Sequence, residues 1–346
     1  MLRSSTGRIL TIGVVSLVTA FFYTMLWGVH EMLVSLGIAT YNRSAWLRRL
    51  LESVTELDVV PGVSIEVIVI DNNSSDATQD VVNEFTRRLQ IYSVKEMRQG
   101  LSFARNKAID LAAGDLICFL DDDLTLRNGW LSAYIDALAS SPGAAFAAGA
   151  VLPAFETSPP RWVRNNLEHL HGVFSLVQPD DNVRPIGPYE CPLGGNICYR
   201  ASVLRMHEFN TSLGRAGSSL IGGEDTEFTK SVRSRGHSGV WAGKAAVDHW
   251  IFTKQMSISY LCRWFFSSGQ TAARINWPEL KDRRDVASNP FNAIKSLLID
   301  MDPLWWSSFF SGPFWLRALK LNRYYAGFQS EVMRLHGDAA PSRDER

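Results

Sequence analysis

Three consecutive carboxylates, Asp121, Asp122 and Asp123, directly follow the apolar run Leu116-Ile-Cys-Phe-Leu120. Like charges crowded at the mouth of a buried strand repel one another, so the arrangement is costly unless a cation or strong donors satisfy it. A divalent cation resolves the repulsion. Hard oxygen ligands suit Mg²⁺ or Mn²⁺, and a site that keeps open positions can hold a diphosphate as well. The plainer reading, a solvated acidic turn, is disfavoured by the buried strand just before it. Two further acidic positions stand out: Asp71 ends the run Ile65-Glu-Val-Ile-Val-Ile70, and Glu224-Asp225 follows Gly222-Gly223 where a helix opens and runs to about Arg235.

The elements that must position these groups can be read from periodicity. Met32 to Ile38 is an apolar run of strand length, followed by the polar turn Thr40-Tyr41-Asn42-Arg43 and an amphipathic segment from Trp46 to Leu57. The pattern repeats after Asp71, where Asp76 can cap a helix through Leu89. A third unit has a short strand near Ile91 to Val94, a loop through Gly100 and a helix from about Ser102 to Ala113. Alternating strands and helices predict an α/β fold with a mostly parallel central sheet flanked by helices, and ligands collect beyond the carboxyl ends of such strands. Three strands thereby deliver Thr40-Tyr41-Asn42, Asp71 and the triple aspartate to one edge.

From Pro153 to Pro188 the chain is rich in Pro, Asn and charged residues, with a weak helix near Trp162 to His171. This reads as a long, substrate-facing surface excursion. Order returns at Cys191 to Tyr199, and a short strand region near Val240 to Val247 leads into Asp248-His249. Gly194-Gly195-Asn196 and Gly222-Gly223 are either places where backbone passes close to substrate or ordinary turns.

With 35 basic and 35 acidic residues in a chain of 346, no net field exists to hold a polyanion, which argues against nucleic-acid binding. The four cysteines include no CxxC pair, and a reduced compartment fits best. Ile9 to Val29 carries no charge over 21 residues, about 31 Å as a helix and enough to cross a bilayer. Residues 1–31 are therefore expected to be either a membrane anchor, oriented by Arg3 and Arg8, or leader ahead of a start at Met32. In the C-terminal third Trp305, Trp306, Phe309, Phe310, Phe314 and Trp315 crowd together ahead of Arg317, Lys320 and Arg323. Aromatics beside cations suit a membrane surface; a helical hairpin packed on the domain is the other reading.

The runs Ile38-Ala-Thr40-Tyr41-Asn42-Arg43, Ile70-Asp71-Asn72-Asn73-Ser74-Ser75-Asp76, Ala104-Arg105-Asn106, Phe119-Leu120-Asp121-Asp122-Asp123 and Gly223-Glu224-Asp225-Thr226-Glu227-Phe228 together resemble family 2 glycosyltransferases of the GT-A fold. The resemblance covers about Leu33 to His249. It implies that Thr40, Tyr41 and Asn42 line the nucleotide pocket and that Asp71 bonds the base, usually uracil. It further implies that Arg105 approaches the donor's phosphate or sugar side, that Asp121 and Asp122 hold ribose and sugar hydroxyls, and that Asp123 binds the metal. Asp225 would be the general base, with Glu224 as an alternative base or acceptor contact. His249 matches a position that completes the metal site in some members.

These implications assemble into an inverting transfer of sugar from a nucleotide-diphosphate donor, a UDP-sugar first, to an acceptor hydroxyl, with Mn²⁺ or Mg²⁺ as cofactor. The expected division is a catalytic domain over residues 32–252 and a helical, aromatic-rich extension over 253–346. The expected setting is the cytoplasmic face of a bacterial inner membrane, or the cytoplasm, with a saccharide or lipid-linked saccharide as acceptor. A nucleotidyltransferase would carry a glycine-rich basic loop after the first strand, where this chain has Ala39-Thr40-Tyr41-Asn42-Arg43. A non-catalytic carbohydrate-binding relative would be expected to lose Asp123 or Asp225.

Overall fold

A computed structural model describes residues 31–180, 182–188, 190–281 and 311–339. The apolar stretch Ile9 to Val29 and the cluster Trp305, Trp306, Phe309 and Phe310 lie outside the described residues. Within them, the β-branched and aliphatic runs form an eight-stranded sheet in the order β3-β2-β1-β4-β9-β6-β10-β8. Its strands are β1 (Met32–Thr40), β2 (Val63–Asp71), β3 (Ile91–Lys95), β4 (Leu116–Asp121), β6 (Ala144–Ala148), β8 (Val183–Pro185), β9 (Asn196–Arg200) and β10 (Ser238–Ala242). A smaller sheet has the order β5-β11-β7, from β5 (Leu124–Leu126), β7 (Val151–Phe155) and β11 (Val247–Ile251).

The β3-β2-β1-β4 half is parallel, as the alternation of strands and helices predicts. Beyond β4 the sheet is mixed, because β9 runs antiparallel to both β4 and β6. The strands bury both faces. Val67, Val69, Cys118 and Leu120 point into one core, while Ile68, Ile70, Ile117 and Phe119 point into the other. This two-residue alternation explains why the strands read as continuous apolar runs. Helices α1 (Ser44–Thr55), α2 (Thr78–Phe85), α3 (Leu101–Leu111), α4 (Trp130–Ser140) and α5 (Glu224–Ser234) accompany the sheet.

Two features differ from the sequence reading. The stretch from Pro153 to Pro188 is not simply a surface excursion: Val163, Leu170, Val173, Phe174 and Leu176 are buried in a third core. That core is shared with Ile251 and with Tyr260, Leu261 and Phe265 of α6 (Ile258–Ile275) and Leu316 of α7 (Phe314–Ala339). Apolar residues spread among prolines and polar groups show no period, so their burial was invisible locally. Helices α6 and α7 pack together on the domain, while Phe314 stays 78% and Trp315 41% exposed. Among the described residues no helix is long and apolar enough to cross a membrane.

Candidate active site

The parallel register decides where the carboxylates meet. Thr40 pairs with Asp71 at the carboxyl ends of β1 and β2, and Ala39 pairs with Asp121 at the end of β4. Strand order reverses beside β1, so these ends border the crevice in which such sheets bind ligands. Asp71 is 8% exposed, and its Oδ1 accepts the Ser74 N–H at 2.7 Å. Thr40 donates its hydroxyl to Asp122 Oδ2 at 2.8 Å. Tyr41 is exposed at the rim. Asn42 takes a left-handed φ of 51° and ties the two loops together, its N–H donating to Ser74 Oγ and its Oδ1 accepting from the Ser75 N–H.

His249 reaches the site through the smaller sheet. Strand β5 starts at Leu124, immediately after the triple aspartate, and pairs antiparallel with β11 so that His249 lies opposite Leu124. The Trp250 N–H donates to the Asp123 carbonyl at 3.0 Å, locking that register. His249 Nε2 thereby sits 3.5 Å from Asp123 Oδ1. Its Nδ1 lies 2.7 Å from the Phe174 carbonyl, an acceptor that places the proton on Nδ1 and leaves Nε2 facing the carboxylate. Sequence reading put His249 after a strand; it lies within one, which gives its ring a fixed direction.

Electrostatics separate the three aspartates. Burial pushes Asp122 up to about 6, against the opposing Arg43 guanidinium and with the help of its neighbour Asp123. Burial also works to raise Asp123, yet His249, Arg43 and Arg215 together hold it well below the usual carboxylate range. Arg43 donates from Nη1 to Asp122 Oδ1 at 2.8 Å and to Asp123 Oδ2 at 2.7 Å. Burial lowers His249, but Asp123 more than offsets it and the imidazole is held above its ordinary value.

Arg105 organises the other half of the site. It is 3% exposed, and its guanidinium donates to Asp121 Oδ1 at 3.2 Å, to Glu224 Oε1 at 3.1 Å and to Asp225 Oδ1. The ring of Phe209, 5.4 Å from the guanidinium, backs it and stacks on Phe228 of α5 at 4.0 Å. Glu224 and Asp225 stand at the start of α5, opened by Gly223 with φ 83°. Burial, then the Asp225 charge, push Glu224 up to about 7 against Arg105. Glu224 Oε2 has no hydrogen-bond partner among the described residues. The Asp225 side chain is 23% exposed against 6% for Glu224, and its Oδ2 accepts the Gly194 N–H at 2.9 Å.

Gly194 and Gly195 are places of close approach. A Cβ at Gly194 would fall on the Asp225 carboxylate, and one at Gly195 on that of Asp121. Three residues that matter here carried no assigned role in the sequence reading. Arg43 stands in the loop after β1, at a strand end that the parallel sheet brings to the edge holding the aspartates, so its position was legible. Arg215 lies in a loop with no strand to place it. Asn196 is buried and saturated: it donates to the Ala150 and Ala245 carbonyls and accepts from Trp130 Nε1 and the Tyr134 hydroxyl, fixing β9 beneath the site. Among the described residues no group of three or more His, Cys, Asp or Glu side chains is gathered to hold a metal by itself.

Comparison with known proteins bears on the family and the fold. Residues 35–193 match the family described as Glycosyl transferase family 2. The succinoglycan biosynthesis protein ExoM of Rhizobium meliloti is 29% identical over 246 residues, covering 70% of this chain and 74% of that one. The GalNAc(5)-diNAcBac-PP-undecaprenol beta-1,3-glucosyltransferase of Campylobacter jejuni is 33% identical over 102 residues, 29% of this chain and 32% of that enzyme. Among solved structures, a mannosyltransferase of Pyrobaculum calidifontis in complex with GDP-Man and Mn²⁺ superposes with a TM-score of 0.50 at 15% identity, covering 96% of this chain and 95% of that one. The fold is that of GT-A transferases. Residues 35–193 belong to glycosyl transferase family 2, and the protein is a glycosyltransferase.

Proposed function

We propose that the protein transfers a sugar, with inversion, from a nucleotide-diphosphate donor to an acceptor hydroxyl, using a UDP-sugar and a divalent cation. The observation that carries this reading is the convergence of Asp71, Asp121 to Asp123, His249 and Asp225 on one sheet edge from elements far apart in sequence. Asp71 and the Thr40-Tyr41 end of β1 would take the nucleoside, and Asp121 and Asp122 the ribose and sugar hydroxyls. A divalent cation fits beside Asp123, whose carboxylate is kept ionised, and beside His249 Nε2, whose tautomer the Phe174 carbonyl sets. When bound, the cation would stabilise the negative charge that grows on the departing diphosphate.

Asp225 is the base in this reading because it reaches solvent while Glu224 does not. Its carboxylate takes the acceptor hydroxyl's proton as that oxygen bonds to the anomeric carbon. The bond from that carbon to the phosphate oxygen breaks, and the nucleoside diphosphate leaves with the electron pair. Arg105 and the Gly194 N–H hold the carboxylate in place.

The same proposal assigns residues 32–252 to catalysis and the remainder to a helical extension that meets a membrane surface. Supporting this are the exposed Phe314 and Trp315 and the names of two relatives, which refer to succinoglycan biosynthesis and to an undecaprenol-linked saccharide. A lipid-linked or polysaccharide-precursor acceptor at the cytoplasmic face of a bacterial membrane is the setting this favours. The experiment is donor binding and turnover across UDP-, GDP- and dTDP-sugars with Mn²⁺, Mg²⁺ or EDTA, for wild type, Asp123→Ala and Asp225→Asn. Metal-dependent binding weakened in the first variant, with turnover but not binding lost in the second, is expected. If no nucleotide sugar binds with either metal, the reading is wrong.

A further inference from the structure

A separate cleft is lined in part by the loop that precedes α5. It has a volume of about 390 Å³ and opens between the loop 218–220, α6 and α7. Arg263 of α6 and Arg323 of α7 both line it, together with Ser218, Ser259 and Gln270, over an apolar floor at Phe266. Among the described residues neither guanidinium has a carboxylate partner. On the same two helices Arg274 and Arg334 are both held by Glu331, at 2.8 and 2.7 Å. The two helices satisfy one arginine pair internally, while the second pair, both exposed, lines a cleft together with Ser218, Ser219, Ser259 and Ser267. Guanidinium forks beside hydroxyl donors are the chemistry that recognises oxyanions, phosphate above all. The volume falls within the range of small-molecule sites.

The loop that lines the cleft leads directly into the catalytic groups. Downstream, the Gly222 N–H donates to Thr271 Oγ1 of α6 at 3.1 Å, and α5 with Asp225 follows directly. The five-residue step from Leu220 to Asp225 spans at most about 17 Å even if fully extended. An acceptor of about that length is therefore long enough to reach from this loop to Asp225.

We propose that this cleft binds an anionic, phosphate-type group of the acceptor and so selects acceptors that carry one within about 17 Å of the reacting hydroxyl. The proposal rests on the glycosyltransferase reading and adds to it the acceptor's charge. The same chemistry could belong to the diphosphate of a lipid-linked saccharide or to a phosphate on a soluble one.

The test uses the full chain with UDP and Mn²⁺ present to fill the donor site. Glucose 1-phosphate, a farnesyl-diphosphate-linked N-acetylglucosamine in detergent and neutral glucose are titrated by calorimetry. At least one phosphorylated probe is expected to bind where glucose does not. Arg263→Gln/Arg323→Gln should weaken it by roughly tenfold or more with UDP affinity unchanged. Arg323→Gln alone serves as the milder variant if the double one melts early. Binding of glucose 1-phosphate assigns the site to phosphate itself, and binding of the prenyl diphosphate alone assigns it to lipid-linked acceptors. If neither phosphorylated probe binds, or the substitutions leave binding unchanged, the proposal is overturned. Failure of UDP to bind would count against the donor site instead, and the anion titration is read independently of it.

Discussion

Arg105→Gln removes a cation that three carboxylates share, and the consequence can be worked from the structure. Arg105 is 3% exposed and donates to Asp121, Glu224 and Asp225, so three formal negative charges face one positive charge. The imbalance is already felt, because burial and Asp225 push Glu224 up to about 7. Glutamine keeps hydrogen bonding and much of the volume but leaves the cluster without a counter-charge. Removing one partner from a buried ion pair costs about 3–5 kcal/mol. Above the Glu224 value Glu224 adds its charge to the cluster and the loss should approach about 5 kcal/mol; below it the Glu224 proton is on, and the loss should fall to about 3 kcal/mol or less. In the variant the folded state holds protons that the unfolded state releases, so its stability falls as pH rises. Urea unfolding followed by tryptophan fluorescence at about pH 5.5 and about pH 8 measures both values. A loss under about 1 kcal/mol at both, or the same loss at both, would refute the claim that Arg105 acts by charge compensation.

Three further outcomes follow from the same geometry. In the wild type Glu224 is raised from 4.5 to about 7, so its proton stabilises the fold below about pH 4.5 and that contribution, on the order of 3 kcal/mol, is lost as pH rises through about 7; Glu224→Gln should flatten the stability profile across this window. Gly194→Ala would drive a methyl into the Asp225 carboxylate and Gly195→Ala into that of Asp121. The first should cut kcat by tenfold or more, in an estimate of about 1.4 kcal/mol, with donor binding kept, and the second should weaken donor binding by a similar factor in direct titration. Asn196→Ala leaves Trp130 Nε1 and the Ala245 carbonyl without their buried partner, while the Ala150 carbonyl keeps the Val247 N–H; a loss of about 2 kcal/mol or more is expected by chemical denaturation, and a loss near zero would mean water replaces the amide.

Much of the site was legible in the chain itself. A two-residue alternation with both faces apolar marks a buried parallel strand, and a carboxylate at its end can lie only at the sheet edge; Asp71 and Asp121 followed from that rule. The like-charge argument for Asp121 to Asp123 is equally local, since neighbours in sequence repel in any fold. The same logic located the helix at Glu224-Asp225 from its glycines. Local pattern did not reveal the buried core inside Pro153 to Pro188, whose apolar residues obey no period because each meets a different partner on α6, α7 or β11. The tertiary structure alone decided how the charges are shared. His249 meets Asp123 only because β11 pairs with β5, and Arg105 on α3 meets Asp225 at the start of α5 across 120 residues of sequence. Such contacts depend on register and direction between segments distant along the chain, whereas periodicity reports only which face of its own element a residue occupies.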